Sequence, residues 1–321
     1  MEQKRNVWTR LPVVILTAVF CCTLWGSASP AIKIGYKLFE VAADDTASRI
    51  LFAGIRFTIA GVMVIIAGSL LAHRFLKPKK SSAGCIAALA ATQTVLQYIF
   101  FYMALAHISG VRGSILNAAN TFFAIFLAVA VFHFEKLNAQ KVIGAIIGFS
   151  GVVLIVSGGS LSALAGGFTL QGEGAMLLAA FVSALAGCLI KLFSAREDPV
   201  TLSGWQFFFG GLVMTAIGLA FGGRLVWSSA ACLPLILYMG FISAGAYTLW
   251  GILLKYNPVS TVSTLGFVNP IMGVLLSALF LNESGEAFRA SSVAALALVS
   301  LGIFIVNFHW EKRDEKTKIS D

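Results

Sequence analysis

Several stretches of this sequence place hydrogen-bonding side chains inside runs that are otherwise apolar. Gln93 and Gln97 stand four residues apart, so a helix carries both on one face. Ser114, Asn117, Asn120 and Thr121 share a broad face of a second helix, and Ser243, Tyr247 and Trp250 recur at i, i+4 and i+7 on a third. Asn269 precedes Pro270, whose ring frees a carbonyl, and Trp25 sits beside Gly26. Amide, hydroxyl and indole groups of this kind suit a neutral or zwitterionic solute. They also bond helix to helix, at about 0.6 kcal/mol apiece in a membrane. Arg56 is the one charge clearly inside a run. It suits contact with an anionic solute, but a structural role is favoured. Its counterpart in the second half is Gln206, and its helix is expected at the periphery, with Arg56 about two turns below the outer surface.

Other chemistry is absent. All fourteen acidic residues fall in connections, tails or helix ends, and a proton-driven carrier ordinarily keeps a carboxylate inside the membrane. There is no P-loop, no metal-spaced histidine pair and no buried acid pair, so neither a cofactor nor a metal is expected. The five cysteines lie in or at the edge of apolar runs without metal spacing, as small hydrophobes do.

The elements that carry these residues follow from composition. Of 321 residues 58% are hydrophobic and 12% charged, against about 25% charged in soluble domains. That apolar surplus must face lipid. Runs near the roughly 20 residues needed to cross a bilayer fall at 11–29, 48–72, 83–106, 110–132 and 140–157, then at 172–193, 201–221, 231–254, 260–281 and 289–308. The first is long for a signal peptide and reads as a transmembrane helix. The net charge of +9 is not a nucleic-acid footprint once it is placed on this topology. With the N-terminus inside, sixteen Lys and Arg are cytoplasmic and six external, so both termini are expected in the cytoplasm of a plasma (inner) membrane protein. Trp8, Trp227 and Trp310 suit the interfacial belt.

The two sets of five repeat. Phe132-His133-Phe134-Glu135 matches Phe280-Leu281-Asn282-Glu283 at an offset of 148, Arg56-Phe57 matches Gln206-Phe207 at 150, and the Gly151 stretch matches Gly302 near 151. Five helices is an odd number, so the second half enters from the opposite side. The expected organisation is a cytoplasmic N-terminus (1–10), a first repeat (11–157), an external linker (158–171), a second repeat (172–309) and a basic tail (310–321). Gly61 and the Gly144, Gly148, Gly151 set suit close helix contact.

Leu24-Trp25-Gly26-Ser27, Arg56-Phe57, the stretch from Asn269-Pro270 to Glu283, and the Glu135/Glu283 repeat ends resemble the drug/metabolite transporter superfamily, in its ten-helix EamA branch. Phe122 replaces the proline in repeat one, which removes the reason for a matching kink there. The resemblance implies an all-α membrane protein, ten transmembrane helices as two inverted-topology five-helix repeats around a central cavity lined by helices one, three, four, six, eight and nine. It also implies export of amino acids or other small metabolites. The expected partners are a small-molecule substrate and the lipid bilayer, with no nucleic acid, in a monomer or weak homodimer. A facilitator or exchanger is expected; the alternatives are a proton-coupled exporter and an integral membrane transferase.

Overall fold

The computed structural model describes residues 7–42, 44–134, 136–157, 168–257, 262 and 265–307. Glu135, Trp310, the N-terminal Lys4 and Arg5, and most of the expected linker and tail lie outside them. Ten apolar helices make up the rest: α1 (Leu11–Leu38), α2 (Thr46–Leu71), α3 (Lys80–His107), α4 (Gly110–Ala130), α5 (Ala139–Val156), α6 (Leu170–Phe193), α7 (Pro199–Ala220), α8 (Cys232–Leu253), α9 (Leu265–Leu281) and α10 (Ala290–Val306). The first eight are long and apolar enough to cross a membrane; α9 and α10 are shorter. Among the described residues there is no β-strand, as a lipid environment demands of a chain that must satisfy its own backbone.

Side chains start these helices. Asp45 accepts from Ser48 N (2.9 Å) at α2, Ser109 from Arg112 N (3.0 Å) at α4, Asn138 from Lys141 N (2.8 Å) at α5, and Asp198 from Thr201 N (3.0 Å) at α7. Each occupies a donor that the helix itself leaves free. The repeat-ending Glu283 caps at a distance: its two oxygens accept from Gly110 N (3.1 Å) and Val111 N (3.0 Å), holding the start of α4 from the end of α9.

The packing obeys a two-fold exchange of α1–α5 with α6–α10. Helices α2 and α7 form the most extensive pair, followed by α5 with α10; α1 meets α8 and α9 as α6 meets α3 and α4. Residue contacts repeat the exchange. A Cβ added at Gly61 would stand 2.8 Å from Phe208 Cβ, and one at Gly211 would stand 2.8 Å from Phe57 C and closer still to Thr58 N. These two contacts interchange at an offset of 150. On the other side of the bundle, a Cβ at Gly144 would meet Gly302 O at 2.9 Å and one at Gly151 would meet Ala295 O at 2.7 Å, again exchanged at 151. The helices of each pair run antiparallel, so the halves are inverted.

Arg56 lies ten residues along α2, roughly 15 Å from its start, and α2 keeps an outward apolar face at Val62, Ile66 and Leu70. One expectation changes. The proline does not decide the break. Repeat two opens α9 with a 3-10 turn at Leu265–Phe267, leaving Pro270 in the first turn of the following α-helix, where no N–H is needed. Repeat one breaks α4 at Ala118 and Ala119, the equivalent positions, with Phe122 in place of proline.

The connection before α7 is tied by Glu197. Its carboxylate accepts from Lys79 N (2.8 Å), Ser82 Oγ (3.0 Å) and Asp198 N (3.1 Å). Burial alone would push this group up, but these hydrogen bonds outweigh it and hold its pKa below the usual carboxylate value. A depressed folded pKa gives stability that is complete above the unfolded value, about 4.3, and lost as pH falls through the folded one. Melting curves of the detergent-solubilised protein should therefore shift down on acidification below about pH 4.3. Glu197→Gln should melt lower at pH 7 and show a smaller acid-induced shift.

The glycine contacts make a second prediction. Gly211→Val drives a side chain into the backbone of Phe57 and Thr58, at an expected cost of about 1–3 kcal/mol, read as a lower melting temperature. Gly187→Ala, where a Cβ meets nothing within 4 Å, should leave it unchanged.

Candidate functional site

The α2–α7 pair presents one polar side chain to each neighbouring half. Arg56, 1% exposed, donates from Nε to the Met239 carbonyl (3.1 Å), from Nη1 to the Tyr102 hydroxyl (2.9 Å) and from Nη2 to Ser243 Oγ (3.1 Å). Its guanidinium carbon also lies 4.8 Å from the Phe57 ring centroid and 5.7 Å from that of Tyr98. The inverted repeat makes the equivalent junction without charge. Gln206 Nε2 donates to Gln93 Oε1 at 2.8 Å, and Thr94 Oγ1 donates to Gln206 Oε1. Arg56 and Gln206 are equivalent at an offset of 150, and so are Gln93 and Ser243. Gln93 and Ser243 are thus held as helix-to-helix bonds.

A third side of the centre is aromatic. The Trp25 ring meets Tyr247 at 5.5 Å and Trp250 at 5.1 Å, both edge-on. Tyr247 also meets Phe207 at 5.1 Å. Tyr247 and Trp250 are half-buried and pack against the main core. Trp227 does sit exposed, edge-on to Phe39.

The fourth side is the interrupted helix α4. Asn120 Nδ2 donates to Ser183 Oγ of α6 at 2.6 Å, and Ser114 Oγ back-bonds to the Gly110 carbonyl at 2.8 Å. Asn117 and Thr121 flank the break and stay half-buried, as do Trp25, Tyr247, Trp250 and Asn269. Two buried polar atoms of this set have no hydrogen-bond partner: Trp25 Nε1, a donor, and Gln97 Oε1, an acceptor. Gln97 follows a π-helical stretch, Ala90–Leu96, an irregularity common at functional sites.

At the end of the bundle shared by Lys33, Arg112 and Glu283, opposite charges pair. Arg112 Nη1 pairs with Glu173 Oε1 at 3.0 Å, and Lys33 Nζ approaches Glu283 Oε1 at 3.9 Å. A groove of about 490 Å³ lined by Asp44, Asp45, Thr46, Ala47, Ile50, Ile217 and Phe221 lies at the start of α2 and the end of α7, away from the central polar residues. Among the described residues, no group of three or more His, Cys, Asp or Glu side chains converges to hold a metal. Sequence reasoning missed Tyr98, Tyr102, Thr94 and Ser183. The four-residue spacing of Tyr98 and Tyr102, just after Gln97, was the available signal.

Ten apolar helices in two inverted halves, with interrupted helices and polar groups at the centre, define a carrier-type membrane protein. Residues 12–157 and 170–308 each match the EamA-like transporter family, and the chain belongs to it. It is 24% identical over 310 residues to a probable terminal-alkyne amino-acid exporter of Streptantibioticus cattleyicolor, covering 96% of this chain and 95% of that one. It is 23% identical over 330 residues to a probable amino-acid metabolite efflux pump of Escherichia coli, covering 97% and 98%. A WAT1-related chloroplastic protein of Arabidopsis thaliana is 27% identical over 217 residues, which span 65% of this chain but only 51% of that protein.

The Arg56 junction yields a stability prediction. Tyr102→Phe leaves a buried guanidinium N–H without its acceptor, which should cost about 1–3 kcal/mol in thermal or denaturant melts. Tyr238→Phe, on a half-exposed residue whose hydroxyl pairs with Ser27 Oγ at 2.7 Å, should cost less.

Proposed function

We propose that this transporter moves a small amino acid or a similar zwitterionic or neutral solute out of the cell. It does so by alternating access across the plasma membrane, with both termini in the cytoplasm. The observation that carries the reading is the pair of unmatched groups at the centre. Trp25 Nε1 seeks an acceptor and Gln97 Oε1 seeks a donor, and a zwitterion offers both. The half-buried side chains at the helix breaks, Asn117, Thr121 and Asn269, add neutral hydrogen-bonding capacity, and the Trp25–Tyr247–Trp250 cluster suits an apolar side chain. The names of the exporters from S. cattleyicolor and E. coli support the same cargo class. The positive charge at one end of the bundle supports the orientation.

A facilitator or exchanger is the coupling favoured, because every described acidic residue lies at a helix end or in a connection. The chemistry is translocation, and the reading assigns no catalytic residue. Counterflow in proteoliposomes preloaded with unlabelled neutral amino acids should drive uptake of the labelled one. Gln97→Ala and Asn117→Ala should each lower that flux about 2- to 10-fold without loss of folded protein. Unchanged flux in both discards this cavity face. Uptake driven by an imposed pH gradient alone would instead establish the proton-coupled alternative.

A further inference from the structure

The two halves solve the same junction with different chemistry. At position 206 a neutral amide joins α7 to α3; at the equivalent position 56 a guanidinium joins α2 to α8 and α3. Gln206 demonstrates that the joint needs no charge, and a charge within a membrane-spanning helix is costly to keep. Nor is the charge neutralised. The ion pairs among the described residues are Lys33 with Glu283 and Arg112 with Glu173, both at one end of the bundle. The groups around Arg56 are hydroxyls, a carbonyl and ring faces, which solvate a cation without cancelling it.

That field reaches the solute. Ser243, which Arg56 holds, lies one helical turn from Tyr247, and Tyr247 is half-buried against Trp25. At an effective dielectric of about 20, one fixed charge alters the occupancy of a monovalent ion within about 10 Å of it by more than about tenfold. We infer that Arg56 is the specificity-determining charge of the cavity: it favours a solute bearing a carboxylate, as zwitterion or anion, and turns cations away. This rests on the transport reading above and narrows its cargo.

The test probes the cavity itself, not the cargo. Tyr247→Cys is introduced, and its modification rates by an anionic (sulfonatoethyl) and a cationic (trimethylammonioethyl) methanethiosulfonate reagent are compared with those of a free thiol. The unsubstituted protein, whose five thiols are all buried, supplies the background. The anionic reagent should be preferred about tenfold or more. R56Q should abolish that preference, and R56K, which keeps the charge without the planar fork, should retain it. A preference untouched by R56Q overturns the inference. Should R56Q fail to fold, the same rates are taken with Arg56 intact at Trp250→Cys, one turn further away. There the anion preference should be smaller than at Tyr247→Cys, and an equal or larger one also overturns it. A preference abolished by R56Q in a protein with no amino-acid counterflow supports the charge assignment and retires the proposed cargo.

Discussion

The antiparallel contact of α2 with α7 is what the rest of the bundle depends on. Lipid tails are as apolar as leucine side chains, so no hydrophobic force drives helices together inside a bilayer; close packing and interhelical hydrogen bonds must do it. Gly61 and Gly211 remove the side chains that would hold the two backbones apart, and each receives the other helix at an equivalent point. Once that seam is fixed, the two polar residues on it, Arg56 and Gln206, reach out from it to neighbouring helices. One catches α8 and α3; the other catches α3 alone. The α5–α10 pair repeats the glycine device on the far side. The two self-paired couples thus hold the inverted halves in register, and the remaining helices are positioned by them.

Symmetry also explains why both repeats interrupt the same helix. The break in α4 at Ala118 and Ala119 and the 3-10 turn of α9 at Leu265–Phe267 occupy equivalent positions, though only α9 has a proline nearby. In repeat one the aromatic ring of Phe122 fills the space over Gly148, where even a Cβ would clash with it. Packing against α5 therefore accompanies the interruption where no missing N–H can account for it. Asn117, Asn120 and Thr121 sit beside that break. There the chain can present side chains inward without a full helical turn to cover them.

Much of this was legible in the residues. Apolar run length set the spans, and the match of Arg56-Phe57 to Gln206-Phe207 at an offset of 150 made Arg56 and Gln206 equivalent positions. The same offset carries Gln93 onto Ser243, though equivalence by itself does not say which helices touch. What could not be drawn was depth and partnership. The helix starts at Thr46, two residues before the expected 48, so Arg56 lies about half a turn further along it, and nothing local states that Tyr102 and the Met239 carbonyl would converge on it. The sharing of polar groups between glue and cargo was likewise hidden. Gln93, Asn120 and Ser243 look like Gln97 and Asn117 in sequence, yet the first three are occupied by neighbouring helices. Only the assembled packing separates them.

The inverted repeat is symmetric in backbone and asymmetric in charge, and that difference bears on how such a protein works. Two halves that can exchange shapes need equivalent joints, which the glycine seams and the Arg56/Gln206 pair supply. They also need unequal ends if one conformation is to be preferred. Glu283 holds the start of α4 through two backbone N–H groups, and Arg112 ties α4 to Glu173 and to the final carbonyls of α5. These bonds all meet at α4, the helix whose interruption carries the central polar face. Movement of that face is thereby coupled to a set of charged contacts at one end of the bundle.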